Sequence, residues 1–376
     1  MKHLKRTLSV IAAMLLLFPA GLASCKKEAE VKTYKIMHEE KFGGIYFDIT
    51  IDDFNALGFA YGDSVDIEFS NGTSFKDLPY YNGYYVDIGD PLLVAYPGYP
   101  YIDAVINYGD DPFVLLGLNE DCTATIKLKE KGKYLSVQNA RDITYSDEQG
   151  DQPDVVFGNF RSVIAGDLQK DLLFRSASPC NNAHSRAAVV DRLSKAAGIG
   201  YVIDLSDNEE EVKGHIAASD FNSPYFLSLY EAGKVTALGL SANFKSESFA
   251  ASLAAGLTKA AENDGPFLVH CVEGKDRTGY VMMLLEALSG ASYQEIIDDY
   301  MITYDNYYGS NETSDPERYI VIKEKNMDAM ISYVTGLPSG TDFSKIDLQP
   351  LAEKKLEEMG MTKETVALLR KKLTGN

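Results

Sequence analysis

Between residues 32 and 150 apolar and polar residues alternate with a period of two. In Thr123-Ala-Thr-Ile-Lys-Leu-Lys129 the residues Ala124, Ile126 and Leu128 share one face, and Asp63-Ser-Val-Asp-Ile-Glu-Phe69 alternates in the same way. Turn signals punctuate the stretch at Asn71-Gly72, Asn82-Gly83, Pro97-Gly98 and Gly109-Asp110. This predicts a small all-β domain, a sandwich or barrel, over 32–150. The run Ser146-Asp-Glu-Gln-Gly-Asp-Gln-Pro-Asp154 is polar, acidic and aperiodic, and reads as a linker. After it the pattern changes. Apolar strands are predicted at 172–175, 200–205 and 266–270, and helical spacing appears over 185–197, 246–263 and 278–289. Such alternation predicts an α/β domain over 151–376, with a mainly parallel central sheet flanked by helices.

The amino terminus has a different pattern. Lys2, Lys5 and Arg6 precede a short apolar run, Val10 to Phe18, which suits a signal peptide over 1–24 rather than a spanning helix. Leu22-Ala-Ser-Cys25 resembles the bacterial lipobox. That resemblance implies cleavage before Cys25, lipid on its thiol, a tether over 25–31 and residence in the bacterial cell envelope as an exported lipoprotein anchored to a membrane, on its periplasmic or surface face. The alternative is an ordinary secretory signal with an incidental cysteine.

The formal charge is −19. Removing the leader's three cations leaves 33 basic against 55 acidic residues, a charge of −22. Such a surface repels nucleic acid at long range and excludes it as a partner, so an anionic substrate needs a locally positive pocket. The four cysteines, Cys25, Cys122, Cys180 and Cys271, show no metal-ligand spacing; no metal and no cofactor is expected. Cys122 and Cys180 read as buried inert thiols, or as protective partners of Cys271 if close to it. The tyrosines 80, 81, 84, 85, 96, 99 and 101 read either as a binding surface for a glycan or protein ligand or as ordinary β-rich structure.

The chemistry lies at the join of a strand and a helix, in His270-Cys-Val-Glu-Gly-Lys-Asp-Arg-Thr-Gly279. Successive backbone N–H groups in such a loop can turn inward as an anion nest, and the following helix points its positive end at the same spot. Arg277 adds a planar fork suited to phosphate oxygens. The same field favours the Cys271 thiolate, and Gly274 lets the loop bend close to an anion. Cys271 and Arg277 are the candidate nucleophile and phosphate clamp, with Val272, Glu273, Gly274, Lys275 and Asp276 completing the phosphate-binding loop.

This string resembles the HCx5R(S/T) signature of the protein tyrosine phosphatase superfamily, and its Gly-Lys-Asp-Arg-Thr-Gly version resembles the secreted bacterial tyrosine/lipid phosphatase branch. Asn159-Phe-Arg161, Leu173-Phe-Arg-Ser-Ala-Ser178, Val202-Ile-Asp-Leu205 with Glu209 to Glu211, and Asp299-Tyr300 are similar to other motifs of that branch. The resemblance covers about 157–376 and not the β domain. It implies attack by Cys271 on phosphorus, phosphoryl binding by Arg277, thiolate assistance by Thr278, support of the loop by His270, and added charge from Lys275. It also implies a general acid at Asp276. With no tryptophan in the chain there is no Trp-Pro-Asp loop, and Asp220, in Asp220-Phe-Asn-Ser-Pro224, is the alternative acid. Arg175 reads as a buried ion-pair residue or as a supporting site residue, and Asp204 as structural. Glu273 places a negative charge in the loop, disfavouring polyphosphates. The substrate classes implied are a phosphorylated protein, foremost at tyrosine, or alternatively a phospholipid or inositol phosphate. A surface binding lipoprotein that holds phosphate without turnover is the reading from another class.

Overall fold

The computed structural model describes residues 32–375. Cys25 and the leader lie outside the described residues. Seven strands close into a barrel: β1 (Lys32–Glu39), β2 (Gly44–Phe47), β3 (Ser64–Phe69), β4 (Ser74–Tyr81), β5 (Pro91–Val94), β6 (Asp103–Ile106) and β7 (Thr123–Glu130), in the order β1-β2-β6-β5-β4-β3-β7. The alternation read from the sequence sorts by face. Val65, Ile67, Phe69, Ala124 and Ile126 fill the interior, while Glu68 faces out between Lys76 and Lys127 at 2.9 and 2.6 Å. Closure removes the free edges that an open sheet would leave. Of the tyrosine cluster, Tyr80 and Tyr81 are buried core residues, whereas Tyr84 and Tyr85 are half-exposed. Two short helices, Ile51–Ala56 and Pro112–Leu115, interrupt the barrel, and a third, Leu135–Arg141, follows it.

The second sheet has five strands: β8 (Arg161–Ser162), β9 (Leu173–Ser176), β10 (Tyr201–Asp204), β11 (Val235–Ala237) and β12 (Phe267–His270), in the order β11-β10-β12-β9-β8. All neighbours run parallel except β8, which is antiparallel to β9. The strands read as continuous apolar runs because both faces are buried. Phe267 and Val269 pack with Leu253, Leu257 and Leu285 on one side, and Leu268 packs with Val190 and Phe226 on the other. The register aligns Asp204, His270 and Ser176 across the sheet. The loops leaving β9, β10 and β12 therefore emerge together at the carboxyl edge, where open parallel sheets present a crevice.

Helix boundaries follow the caps. Ser246 accepts from the Phe249 N–H and starts Glu247–Glu262. Ser185 is left-handed at φ 58°, which delays the preceding helix to Ala187–Ala197. The helix expected from Thr278 starts two residues earlier, at Asp276, and runs to Leu288. The polar segment after the barrel lies against the α/β domain. Asp147 accepts from Arg186 at 3.1 Å, and the Ser146 carbonyl accepts from the same guanidinium at 2.8 Å.

Candidate active site

β12 ends at His270, and the loop Cys271–Lys275 connects it to the Asp276–Leu288 helix. The backbone of this loop is turned by donors placed outside it. The Val272 carbonyl accepts from the Ser178 N–H at 3.0 Å. The Glu273 carbonyl accepts from the Tyr307 hydroxyl at 2.6 Å and from Asn159 Nδ2 at 3.3 Å. The Gly274 carbonyl accepts from Arg175 Nη2 at 2.9 Å and from Asn159 Nδ2 at 3.3 Å. Three successive carbonyls are thus held outward. Among the described residues none accepts from the N–H groups of Val272 through Arg277. That is the wiring of an anion nest, continued by the free N–H groups of a helix start. Gly274 sits at φ 69°, where a side chain is disfavoured, and a Cβ there would overlap the Ser176 carbonyl.

The residues that hold the loop come from four distant segments. Arg175 is fully buried. It donates to Asp299 at 2.5 Å and to the Gly274 carbonyl, so one side chain is both ion-pair partner and loop support. Arg161 donates to the other Asp299 oxygen at 2.7 Å, to Thr303 at 3.1 Å and to Asn159 at 2.8 Å. Burial alone would raise the Asp299 carboxyl, but the two guanidinium groups hold it below the usual carboxylate range. Glu286, buried beside them, is pushed well above its ordinary value by burial and then by Asp299. Asn159, Arg161, Arg175 and Asp299, singled out separately in the sequence, therefore meet behind one loop. Tyr307 and Tyr145 were not singled out. Tyr307 shares a helix face with Asp299 and Thr303 at spacings of four, a polar stripe that was legible in principle. Tyr145, whose hydroxyl donates to Glu273 Oε1, carried no such signal.

Cys271 is buried at the end of β12. Arg277 donates through Nη1 to the Leu240 carbonyl at 2.9 Å, which leaves its Nε–Nη2 edge without a partner among the described residues. Thr278 is fully buried, and its hydroxyl oxygen has no partner among the described residues. His270 is buried and its ring is pushed down to about 4, chiefly by burial, so it is neutral at neutral pH; its Nδ1 lies 3.4 Å from the Cys271 carbonyl and 3.9 Å from Asp204. Asp204 accepts from the N–H groups of Ser206 and Asp207, at 2.9 and 3.1 Å, and shapes the loop after β10.

Lys275 grips both oxygens of Asp276, at 2.9 and 2.7 Å, and lies 3.7 Å from Glu273. Burial pushes the Asp276 carboxyl up, yet Lys275, then Arg141 and Arg277, hold it below its ordinary value. Asp220 makes no hydrogen bond or ion pair to this loop among the described residues. It accepts from Asn182 at 3.1 Å and lines a separate cavity of about 160 Å³ with Cys180 and His215. Cys122, Cys180 and Cys271 are all free and buried, and burial raises the Cys180 thiol.

A cavity of about 440 Å³ opens onto the loop at Glu273, Lys275 and Asp276. Phe244, Tyr304 and Tyr308 form one wall. The other wall comes from the barrel: Tyr84, Tyr85, Val86, Ile88 and the tip residue Tyr108. Residues lining this cavity are bonded across it or beside it to the other unit. Lys245 donates to the Ile88 carbonyl at 2.9 Å, and Arg141 donates to the Lys325 carbonyl at 3.0 Å and to Asn326 at 2.6 Å.

A family model described as the tyrosine phosphatase family matches residues 134–375. A curated tyrosine-protein phosphatase from Nostoc commune is 43% identical over 56 residues, which cover 15% of this chain and 19% of that protein. The chain thus spans about a fifth of the length of that curated relative. Among solved structures, the core catalytic domain of PP-IP phosphatase SIW14 from S. cerevisiae, in complex with citrate, is similar at 18% identity and a TM-score of 0.26, covering 47% of this chain and 91% of that one. An uncharacterized conserved protein from Thermotoga maritima is similar at 21% identity and a TM-score of 0.22, covering 25% of this chain and 35% of that one.

Proposed function

Since the chain belongs to the tyrosine phosphatase family, we propose that it hydrolyses phosphate monoesters through a cysteinyl-phosphate on Cys271, with protein phosphotyrosine as the foremost substrate. The observation that carries this reading is the capture of the Val272, Glu273 and Gly274 carbonyls by donors outside the loop, while the N–H groups of Val272 through Arg277 have no partner among the described residues. A phosphate there accepts from the nest and from the free edge of Arg277. Cys271 lies buried where that loop leaves β12, and its sulfur is the nucleophile. The Sγ lone pair forms the S–P bond as the ester P–O bond breaks, and the leaving oxygen takes a proton. Water then attacks the thiophosphate, releasing inorganic phosphate and the thiolate, which the Thr278 hydroxyl stabilises as it departs. Asp276, which lines the cavity beside Glu273, is the acid the family resemblance favours. Lys275 keeps it ionised in the free protein, so it gains its proton only when the phosphate dianion arrives and raises its carboxyl.

The test is turnover of an aryl phosphate by the purified chain beside Cys271→Ser. Loss of turnover with retained vanadate binding is expected, and the wild-type rate should survive chelators. Equal turnover in the two proteins would sink the mechanism. It would leave the reading of a non-catalytic phosphate-binding lipoprotein. A panel adding phosphoserine peptides, phosphoinositides and inositol phosphates separates the substrate classes. Glu273 in the loop, and Lys275 already paired with Asp276, weigh against highly charged polyphosphates. The leader and Cys25 support a further proposal, export and lipid anchoring to a bacterial membrane. Mass spectrometry of the mature amino terminus would show a diacylated Cys25, and an unmodified terminus elsewhere would refute it.

A further inference from the structure

The barrel wall of the cavity has a feature that its fold does not require. The turn Ile106–Gly109 is closed by the Gly109 N–H donating to the Ile106 carbonyl at 3.0 Å, and Tyr108 occupies its third position at φ 50°. That position favours glycine, and for a bulky aromatic it is strained. Tyr108 is nonetheless 54% exposed, and its hydroxyl has no partner among the described residues. Neither core packing nor hydrogen bonding accounts for a tyrosine there. Its place at the cavity that reaches the phosphate loop does.

The wall is held rigid from both sides. Asn107 donates to the Val86 carbonyl at 2.9 Å and accepts from the Gly89 N–H at 2.7 Å, which locks the turn to the neighbouring loop. Lys245 fastens that loop to the α/β domain through Ile88. Phe244 and Tyr308 line the same cavity as Tyr85 and Tyr108, and Phe244 is itself stacked on Tyr280 at 4.9 Å. The polar side chains of the cavity are largely engaged within the protein: Asn107 with Val86, Asn326 with Tyr304 at 2.9 Å, and Arg141 with Asn326. Besides the Arg141 Nε and the Tyr108 hydroxyl, which have no partner among the described residues, the lining offers the aromatic side chains of Tyr84, Tyr85, Phe244 and Tyr308. An aromatic ring covers such side chains with favourable stacking, whereas a serine chain is too short to cover them and a polyol presents no ring face to them.

We propose that Tyr108, carried by the barrel, is a specificity-determining residue. It packs against the ring of an aryl phosphate whose phosphate lies in the Cys271–Arg277 loop, and so selects aryl over alkyl phosphate monoesters. This rests on the phosphatase reading above. The barrel is then part of the substrate site.

The test uses the full chain and one peptide sequence bearing either phosphotyrosine or phosphoserine at the same position. In Tyr108→Ala the ratio of kcat/KM for phosphotyrosine to that for phosphoserine should fall about three- to tenfold, mainly through KM for the aryl substrate. Tyr108→Phe, which keeps the ring, should restore the ratio, and Phe42→Ala, on an exposed barrel position outside the cavity, should leave it at the wild-type value. An unchanged ratio in Tyr108→Ala, or equal loss on both peptides, overturns the proposal. Absence of turnover by the wild type, or turnover that persists in Cys271→Ser, would instead overturn the phosphatase reading. Calorimetry with phenyl phosphate against glycerol 2-phosphate then decides on Tyr108 by itself. A wild-type preference for phenyl phosphate that is lost in Tyr108→Ala upholds the role, and no preference refutes it.

Discussion

Tyr307→Phe isolates the idea that captured carbonyls build the phosphate nest. The substitution removes one donor, the hydroxyl 2.6 Å from the Glu273 carbonyl, and nothing else of the ring. Burial holds that hydroxyl's pKa above its ordinary value, so it is a donor throughout the working pH range. The ring keeps its contacts with Tyr145 at 4.7 Å and with the Arg186 guanidinium at 5.1 Å. The carbonyl is not orphaned, because Asn159 Nδ2 remains at 3.3 Å. The stability cost is therefore the net value of one hydrogen bond, about 1 kcal/mol, and not the larger penalty of an unpaired buried acceptor. If the bond holds the loop in the form that binds the transferring phosphoryl group, the same free energy appears in kcat/KM as a loss of about fivefold. Vanadate affinity should fall by a similar factor. The chain has no tryptophan, so urea unfolding is followed by circular dichroism or tyrosine fluorescence, beside steady-state kinetics on an aryl phosphate. A stability loss of about 1 kcal/mol with unchanged kcat/KM and unchanged vanadate affinity would refute the reasoning. The outward carbonyl would then be a packing feature.

Three other outcomes are expected. Asp276→Asn should slow alkyl phosphates far more than activated aryl phosphates and remove the basic limb of the pH–rate profile; equal slowing of both would make Asp276 a loop-shaping residue. Gly274→Ala should cost about 2–4 kcal/mol and abolish vanadate binding, because a left-handed φ and a fixed Ser176 carbonyl leave a methyl no room; near-normal binding by calorimetry would show that the loop can move away from β9. Asp103 lies buried on β6 with its carboxyl pushed up to about 8, first by burial and then by Glu39. In the unfolded chain this carboxyl ionises near pH ~4 while the folded one keeps its proton, so its burden on stability grows from about pH 4 to 8. Asp103→Asn should therefore gain on the wild type as pH rises through that window, by on the order of 1–4 kcal/mol, and parallel unfolding midpoints across it would contradict the assignment.

Features that depend on near neighbours along the chain were legible in the sequence. The period-two alternation of 123–129 and the continuous apolar runs of β10 and β12 are local consequences of one or two buried faces, and the helical spacing of 246–263 is a local periodicity. The loop Cys271–Arg277 was legible for the same reason: nucleophile, turn glycine, helix start and guanidinium all lie within seven residues. Two partners of that loop, Asn159 and Arg175, were visible as separate motifs, but their convergence was not. Arg175 and Asp299 are 124 residues apart, and only the parallel order of β12 beside β9 brings both behind Gly274. Nothing local distinguishes the Leu240 carbonyl that orients Arg277, or the Tyr145 hydroxyl on Glu273, from any other carbonyl or tyrosine. The barrel supplies the clearest case. Its alternation fixes which side chains face its own interior, but period-two patterning carries no information about which outer loop meets another domain. Tertiary docking through Lys245 and Arg141 decided that Tyr108, one tyrosine among 24, lines a cavity shared with Glu273, Lys275 and Asp276.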